Sequence, residues 1–130
     1  MFKITPVTND AERVEIAEAL GIELREGSFL YSMRDVETSR LMGASQFEIL
    51  DGYGMIYDLR CPFGDDDFEA MFILGRQTLN FIDLCSTHTC RASTRYASER
   101  MLTAIGFKKQ EDGSFFINLE GMFDGHCQNH

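Results

Sequence analysis

The sequence is poor in several things at once. Only two of its 130 residues are proline, Pro6 and Pro62, and neither lies in a Pro-rich or low-complexity stretch. Nothing reads as a linker, so one domain over residues 1–130 is expected. No run approaches the ~18 consecutive apolar residues that a membrane span needs. The opening Met1-Phe2-Lys3-Ile4-Thr5-Pro6 lacks the apolar core of a signal peptide. Basic residues are few: 12 Lys+Arg stand against 21 Asp+Glu, a net charge of −9, and the longest basic run is Lys108-Lys109. Neutralising phosphates takes a basic patch, so neither nucleic acid nor an anionic membrane surface is an expected partner. The four cysteines do not form a secreted staple set. Without a secretion signal their thiols stay reduced, and a cytoplasmic location is the expectation.

What the chain has is a core. Apolar residues make up 44% and include 11 Phe, which excludes disorder. Phe2 to Val7 alternates as a short strand. Asn9 then caps a helix, with Glu12 three residues on in the manner of a capping box. Val14, Ala17 and Leu20, with Ile16, form its apolar side, and Gly21 stops it. Ser28 to Arg34 and Arg40 to Leu50 read as strands around the polar turn Asp35 to Ser39. Asp51-Gly52 is a hairpin turn signal before a third strand, Tyr53 to Arg60. The three strands form an antiparallel meander.

Asp65, Asp66 and Asp67 open a long helix running to about Leu84, where acids complement the helix dipole. Phe68, Met71, Phe72, Gly75, Leu79 and Ile82 share its apolar stripe, which Ile73, Leu74 and Phe81 widen. Thr87 to Ala92 reads as a strand. A helix from about Thr94, capped by Ser93, buries Ala97, Met101, Ala104 and Ile105 and ends at Gly106. Strands Phe107 to Gln110 and Ser114 to Leu119 meet at Asp112-Gly113. The order β-α-β-β-β-α-β-α-β-β, with a mixed central sheet and an antiparallel meander, is α+β.

That order, together with Arg95-Tyr96-Ala97-Ser98-Glu99-Arg100-Met101-Leu102-Thr103-Ala104-Ile105-Gly106-Phe107-Lys108, resembles the GCN5-related N-acetyltransferase (GNAT) superfamily. The stretch looks like the family's last helix and its exit, and Gly43 resembles a glycine that many members carry in an early meander strand. The segment before the meander has room for one helix where the family usually has two. The resemblance implies an acyl-CoA N-acyltransferase fold and acetyl-CoA as a cofactor. The family's cofactor loop, of the type Arg/Gln-x-x-Gly-x-Gly/Ala, holds a pyrophosphate at a helix N-terminus. The corresponding place reads Cys61-Pro62-Phe63-Gly64-Asp65-Asp66-Asp67-Phe68. Gly64 is its only glycine, it has no basic residue, and like charges at 4 Å repel by about 1 kcal/mol even in water.

The candidate cofactor-contacting residues implied by the resemblance are therefore Cys61, Phe63, Gly64, Asp66, Phe68 and Arg95. Arg95 stands where the family often has Asn, and Leu102 where it often has the Tyr that acts as general acid. The expectation is a GNAT-like domain with a lost or altered acetyl-CoA site, binding a small molecule. One alternative is a working N-acetyltransferase, with a backbone N–H of the third meander strand polarising the thioester and Glu48 or Asp58 as general base. Another is a dimerising or partner-binding module that uses the acidic surface, for which a homodimer is one assembly.

The remaining constellations have bland explanations. Cys85, His88 and Cys90, with His126, Cys127 and His130, offer soft zinc ligands, but the spacing matches no finger, and buried thiols with a surface His explain it. The Asp65 to Asp67 run could suit a hard cation, but a solvated run capping the helix is the favoured reading. No metal site is expected. Cys85 and Cys90 have no readable catalytic partner. Arg91, Arg95 and Arg100 form the main arginine concentration, suited to an anion or to charge balance with nearby acids such as Glu99 and Glu111.

Overall fold

The computed structural model describes residues 1–65, 67–93 and 97–123. In chain order these are β1 (Phe2–Pro6), α1 (Asp10–Leu20), β2 (Phe29–Asp35), β3 (Leu41–Ile49), β4 (Gly54–Arg60), α2 (Phe68–Leu84), β5 (Thr89–Ala92), α3 (Glu99–Ile105), β6 (Lys108–Lys109) and β7 (Phe115–Asn118). The strands form one sheet in the order β1-β2-β3-β4-β5-β7-β6. The β4–β5 pair is parallel and the others antiparallel. This is the expected α+β element order.

Two apolar clusters lie on opposite faces of the sheet. One gathers Ile16, Ala17 and Leu20 of α1 with Val7, Ile22, Leu30 and Ala44. The larger gathers α2 and α3 with inward residues of β3, β4, β5 and β7, including Phe47, Ile56, Leu74, Ile82, Leu102 and Phe115. A single helix precedes the meander, and residues 22–28 continue from it as an irregular segment.

Local chemistry accounts for the helix ends. Asn9 Oδ1 accepts the Glu12 N–H at 2.9 Å, and Gly21 closes α1 at φ 70°. The Glu12 carboxylate meets Arg34 at 3.4 Å. Val14 departs from expectation: it is 48% exposed. It lies roughly 110° around the helix from the centre of the Ile16/Ala17/Leu20 stripe.

Two other helix starts also differ. α2 begins at Phe68, after all three aspartates, with Asp67 as its cap. Its buried face is Ala70, Met71, Leu74, Gly75, Thr78, Leu79 and Ile82, with Phe68 and Phe72 half-buried. The polar Thr78 is satisfied there by the Leu74 carbonyl and Ser45 Oγ, both at 2.8 Å. α3 begins at Glu99, capped by Ser98, whose Oγ accepts the Met101 N–H at 3.1 Å. Ser93 lies apart from the described start of α3, and its N–H extends the β5 edge by donating to the Ile56 carbonyl at 3.2 Å. Within α3, Met101, Leu102 and Ile105 are buried, while Ala104 is exposed.

Candidate functional site

The parallel β4–β5 ladder is short. It runs Gly54↔Cys90, Met55↔Arg91 and Ile56↔Ala92, and no β5 residue pairs with Tyr57 to Arg60. β3 continues beside that half of β4, through Gln46↔Asp58, Ser45↔Leu59 and Ala44↔Arg60. Among the described residues the parallel ladder ends at Ile56, where Ser93 N–H donates to the Ile56 carbonyl at 3.2 Å. The register of β3 with β4 shifts between Gln46 and Phe47, leaving Tyr57 as the extra residue of a bulge.

The bulge has a chemical consequence. Ile56 and Leu59 face the α2 core. Tyr57, Asp58 and Arg60 all face the α1 side, where their partners lie. Strict alternation would have sent Asp58 to the core.

Glu48 and Asp58, the sequence's two candidate bases, are both engaged. Glu48 Oε1 accepts the Tyr57 hydroxyl at 2.7 Å. The Arg25 guanidinium stacks over the Tyr57 ring at 3.8 Å. Burial, then the hydrogen bond to Glu48, push the Tyr57 hydroxyl above its ordinary pKa. Asp58 is 2% exposed. Its Oδ2 accepts the Gln46 amide at 2.7 Å, and Arg60 Nε lies 3.9 Å from its Oδ1.

Gln46 and Tyr57 were not singled out from the sequence. Gln46, 0% exposed, carries the connection between helix and meander. Its Oε1 accepts from the Arg25 N–H and Ser28 Oγ, each at 2.8 Å, and its Nε2 also donates to the Glu23 carbonyl at 3.1 Å. The available signal was a glutamine within the otherwise small and apolar run Gly43 to Phe47.

The β4–α2 loop closes on itself. The Asp65 N–H donates to the Pro62 carbonyl at 2.9 Å, and Gly64 turns at φ 92°. Cys61 Sγ donates to the Asp65 carbonyl at 3.2 Å, while Phe63 is fully exposed. The Asp65 carboxylate meets Arg40 at 3.1 Å. Asp67 Oδ1 takes the Ala70 N–H at 3.0 Å, one of the donors that a bound anion would use. Phe68 packs on the core beneath the Arg100 guanidinium, 4.1 Å from its ring centre. Asp66 and Arg95 lie outside the described residues. Asp67 thus caps α2 with its own carboxylate, and the cations beside the loop, Arg40 and Arg100, come from elsewhere in the chain. Leu102, at the family's general-acid position, is 0% exposed.

The cysteine–histidine set does not converge. Cys90 is buried in the core, which pushes its thiol up to about 12. Cys85 is exposed, and His88 Nδ1 sits 2.6 Å from Asp83 Oδ1. Among the described residues, no group of three or more His, Cys, Asp or Glu side chains could hold a metal ion. His126, Cys127 and His130 lie outside the described residues. No helix among those described is long and apolar enough to cross a membrane.

No family model matches the sequence, and no curated protein matches it. Solved structures do match in fold. The ribosomal-protein-S18-alanine N-acetyltransferase of Escherichia coli superposes with a TM-score of 0.69 at 7% identity, covering 92% of this chain and 94% of that one. The spermidine/spermine N-acetyltransferase of Vibrio cholerae gives 0.71 at 8% identity over 100% of both chains. The PaiA N-acetyltransferase of Thermoplasma acidophilum, in complex with coenzyme A, gives 0.61 at 14% identity over 88% of this chain and 96% of that one. A mixed seven-stranded sheet with a central parallel pair, seen with these superpositions, identifies the chain as a protein of the GNAT N-acetyltransferase fold.

Proposed function

We propose that the chain is a single cytoplasmic GNAT-like domain whose acetyl-CoA site is lost or altered, and that it binds a small molecule in place of carrying out transfer. One observation carries this reading: Asp67 occupies its own helix N-terminus through the 3.0 Å bond from the Ala70 N–H. The carboxylate takes a donor and adds a negative charge where a pyrophosphate would need neither. The exposed Asp65 beside it, paired with Arg40 at 3.1 Å, and the single glycine of the loop support it.

Thermal unfolding with coenzyme A and acetyl-CoA tests the reading. A ligand at 100 times its Kd adds about 2.7 kcal/mol of stability, a rise in Tm that is easily read. The expected result is no rise with either compound for the unmodified chain, and a rise in a variant carrying Asp66→Gly and Asp67→Ser. A clear rise for the unmodified chain, accompanied by acetyl transfer to an amine, overturns it.

The parallel β4–β5 pair at the centre of the sheet supports a second reading, a working N-acetyltransferase. Glu48 and Asp58 remain its candidate bases, one through Tyr57 and the other from a buried position beside Gln46. The dimerising or partner-binding alternative expects a homodimer, and light scattering that returns only monomer mass removes it.

A further inference from the structure

A recess of ≈ 330 Å³ opens where the chain passes from β1 into α1 and later enters β2. Asp10 and Arg13 border it from the start of α1, and Ser28, Phe29 and Tyr31 from the entry to β2. Beneath them the Val7 N–H donates to the Leu30 carbonyl at 2.8 Å, which continues the β1–β2 ladder into the recess. Two strands of the sheet, β2 and β3, separate β1 from the central β4–β5 pair. The recess therefore lies apart from both that pair and the loop before α2.

Two opposite charges share this recess without meeting. Asp10 and Arg13 stand three residues apart on α1, a spacing at which such side chains commonly pair. Among the described residues neither forms a salt bridge, with the other or with any further group. The Arg13 guanidinium makes two long contacts, 3.4 Å to the Val7 carbonyl and 3.5 Å to Ser28 Oγ. Ser28 Oγ directs its own proton toward the Arg25 carbonyl at 2.7 Å and Gln46 Oε1 at 2.8 Å, so toward Arg13 it acts as an acceptor. Arg13 is thus held at the recess without the short, charge-assisted bonds that its five donors can make.

The apolar wall is preformed. Phe29 is 40% exposed, yet its ring stacks on Phe47 at 5.4 Å and meets Phe81 edge-on at 5.5 Å. Tyr31 joins the same cluster, 5.4 Å from Phe47 and 5.3 Å from Phe81. Rings locked in this way give a ligand a surface that costs little ordering on binding.

We propose that this recess binds a free α-amino acid with an apolar side chain, its carboxylate received by Arg13, its ammonium by Asp10 and its side chain by Phe29 and Tyr31. A simple anion would lie beside the Asp10 carboxylate, and a simple cation beside the Arg13 guanidinium, each against a like charge. A zwitterion meets both groups with the opposite sign, and its two carboxylate oxygens match the guanidinium fork. The volume stands at the small end of ligand sites, which suits an amino acid and excludes a nucleotide. The assignment rests on the reading that the chain binds a small molecule, and it sets that molecule away from the β4–α2 loop.

The test is an amide NMR titration of the full chain with L-phenylalanine. Beside it run N-acetyl-L-phenylalanine, which lacks the ammonium, and L-phenylalaninamide, which lacks the carboxylate. Saturable shifts are expected at residues 8–13 and 27–31 with L-phenylalanine, at a Kd of about 1 mM or below, and each analogue should bind about tenfold more weakly. Asp10→Asn should erase the preference over the N-acetyl compound and keep that over the amide. Arg13→Gln should do the reverse. A purely structural role for either residue would weaken all three compounds alike, and Glu15→Gln, at an exposed position of α1, should leave all three unchanged. Equal binding of the three compounds, or preferences that neither Asp10→Asn nor Arg13→Gln alters, overturns the site. Shifts confined to residues outside the recess overturn it too, while leaving the small-molecule reading in place. No saturable shift with L-phenylalanine also overturns it, and the coenzyme A melts then judge the broader reading separately.

Discussion

Gln46 Nε2 donates to Asp58 Oδ2 at 2.7 Å between two register partners of β3 and β4, with both side chains buried. The same amide accepts from Arg25 and Ser28 through its oxygen. One side chain thereby ties the irregular segment after α1 to β4, the parallel neighbour of β5.

Replacing this amide by a hydrocarbon should be costly. Gln46→Leu removes the donor facing a buried carboxylate and releases two donors of residues 25–28. A loss of about 2–4 kcal/mol is expected in urea unfolding. Amide exchange should also quicken in residues 23–28. A loss below about 1 kcal/mol would mean that other contacts hold Asp58.

Two glycines, Gly43 packed against α2 and Gly75 within it, should respond differently to alanine. A Cβ on Gly43 would stand 2.8 Å from the backbone oxygen of Arg60 and 2.3 Å from Met71 Cε. Backbone does not yield cheaply, so Gly43→Ala should destabilise by about 1–3 kcal/mol. A Cβ on Gly75 meets chiefly Ile105 Cδ1, at 2.5 Å, the mobile end of a side chain. There the helical preference of alanine, about 0.5–1 kcal/mol, offsets much of the crowding. Thermal melts of the two variants should therefore separate clearly, with Gly43→Ala the lower.

Asp67→Ala should cost about 1 kcal/mol by loss of the α2 cap, whether or not a ligand binds nearby. Asp67→Ser should retain most of that stability, because its hydroxyl can take the same N–H. Urea midpoints of the two variants check this directly, and equal midpoints would show that the Ala70 bond contributes little.

Burial holds the Cys90 thiol up to about 12, against an ordinary 9.0. The unfolded chain thus releases this proton first as pH rises. The contribution is fully present below pH 9 and is lost as pH climbs toward 12, with a slope of about 1.4 kcal/mol per pH unit. The stability of Cys90→Ala should fall less steeply over that window. In the native state at pH 8, iodoacetamide should modify the exposed Cys85 and spare Cys90, as read by mass spectrometry.

Some of this was legible before any coordinates. The caps Asn9 and Gly21, the turn at Asp51-Gly52 and the stripe of α2 are short-range chemistry, written within a few residues of one another. The residue composition of the loop from Cys61 to Phe68 is likewise local, but the start of α2 falls at Phe68 and not at the acids before it. Errors gathered where two local signals compete: Ser93 and Ser98 are both plausible caps, and Val14 lies just off the buried arc of α1.

The sequence by itself determined the element order, the acidic balance and the composition of the loop before α2, since each follows from residue type and spacing along the chain. Only the tertiary structure decided which side chains meet. The bulge at Tyr57 turns Asp58 toward Gln46, Arg40 comes to Asp65 from twenty-five residues away, and five strands bring Glu48, Met55, Arg91, Phe116 and Lys108 into one row. Those pairings depend on strand register, and a shift of one residue sends every side chain to the other face. Register is set by how the whole sheet buries its two apolar clusters, so no local run of residues contains it.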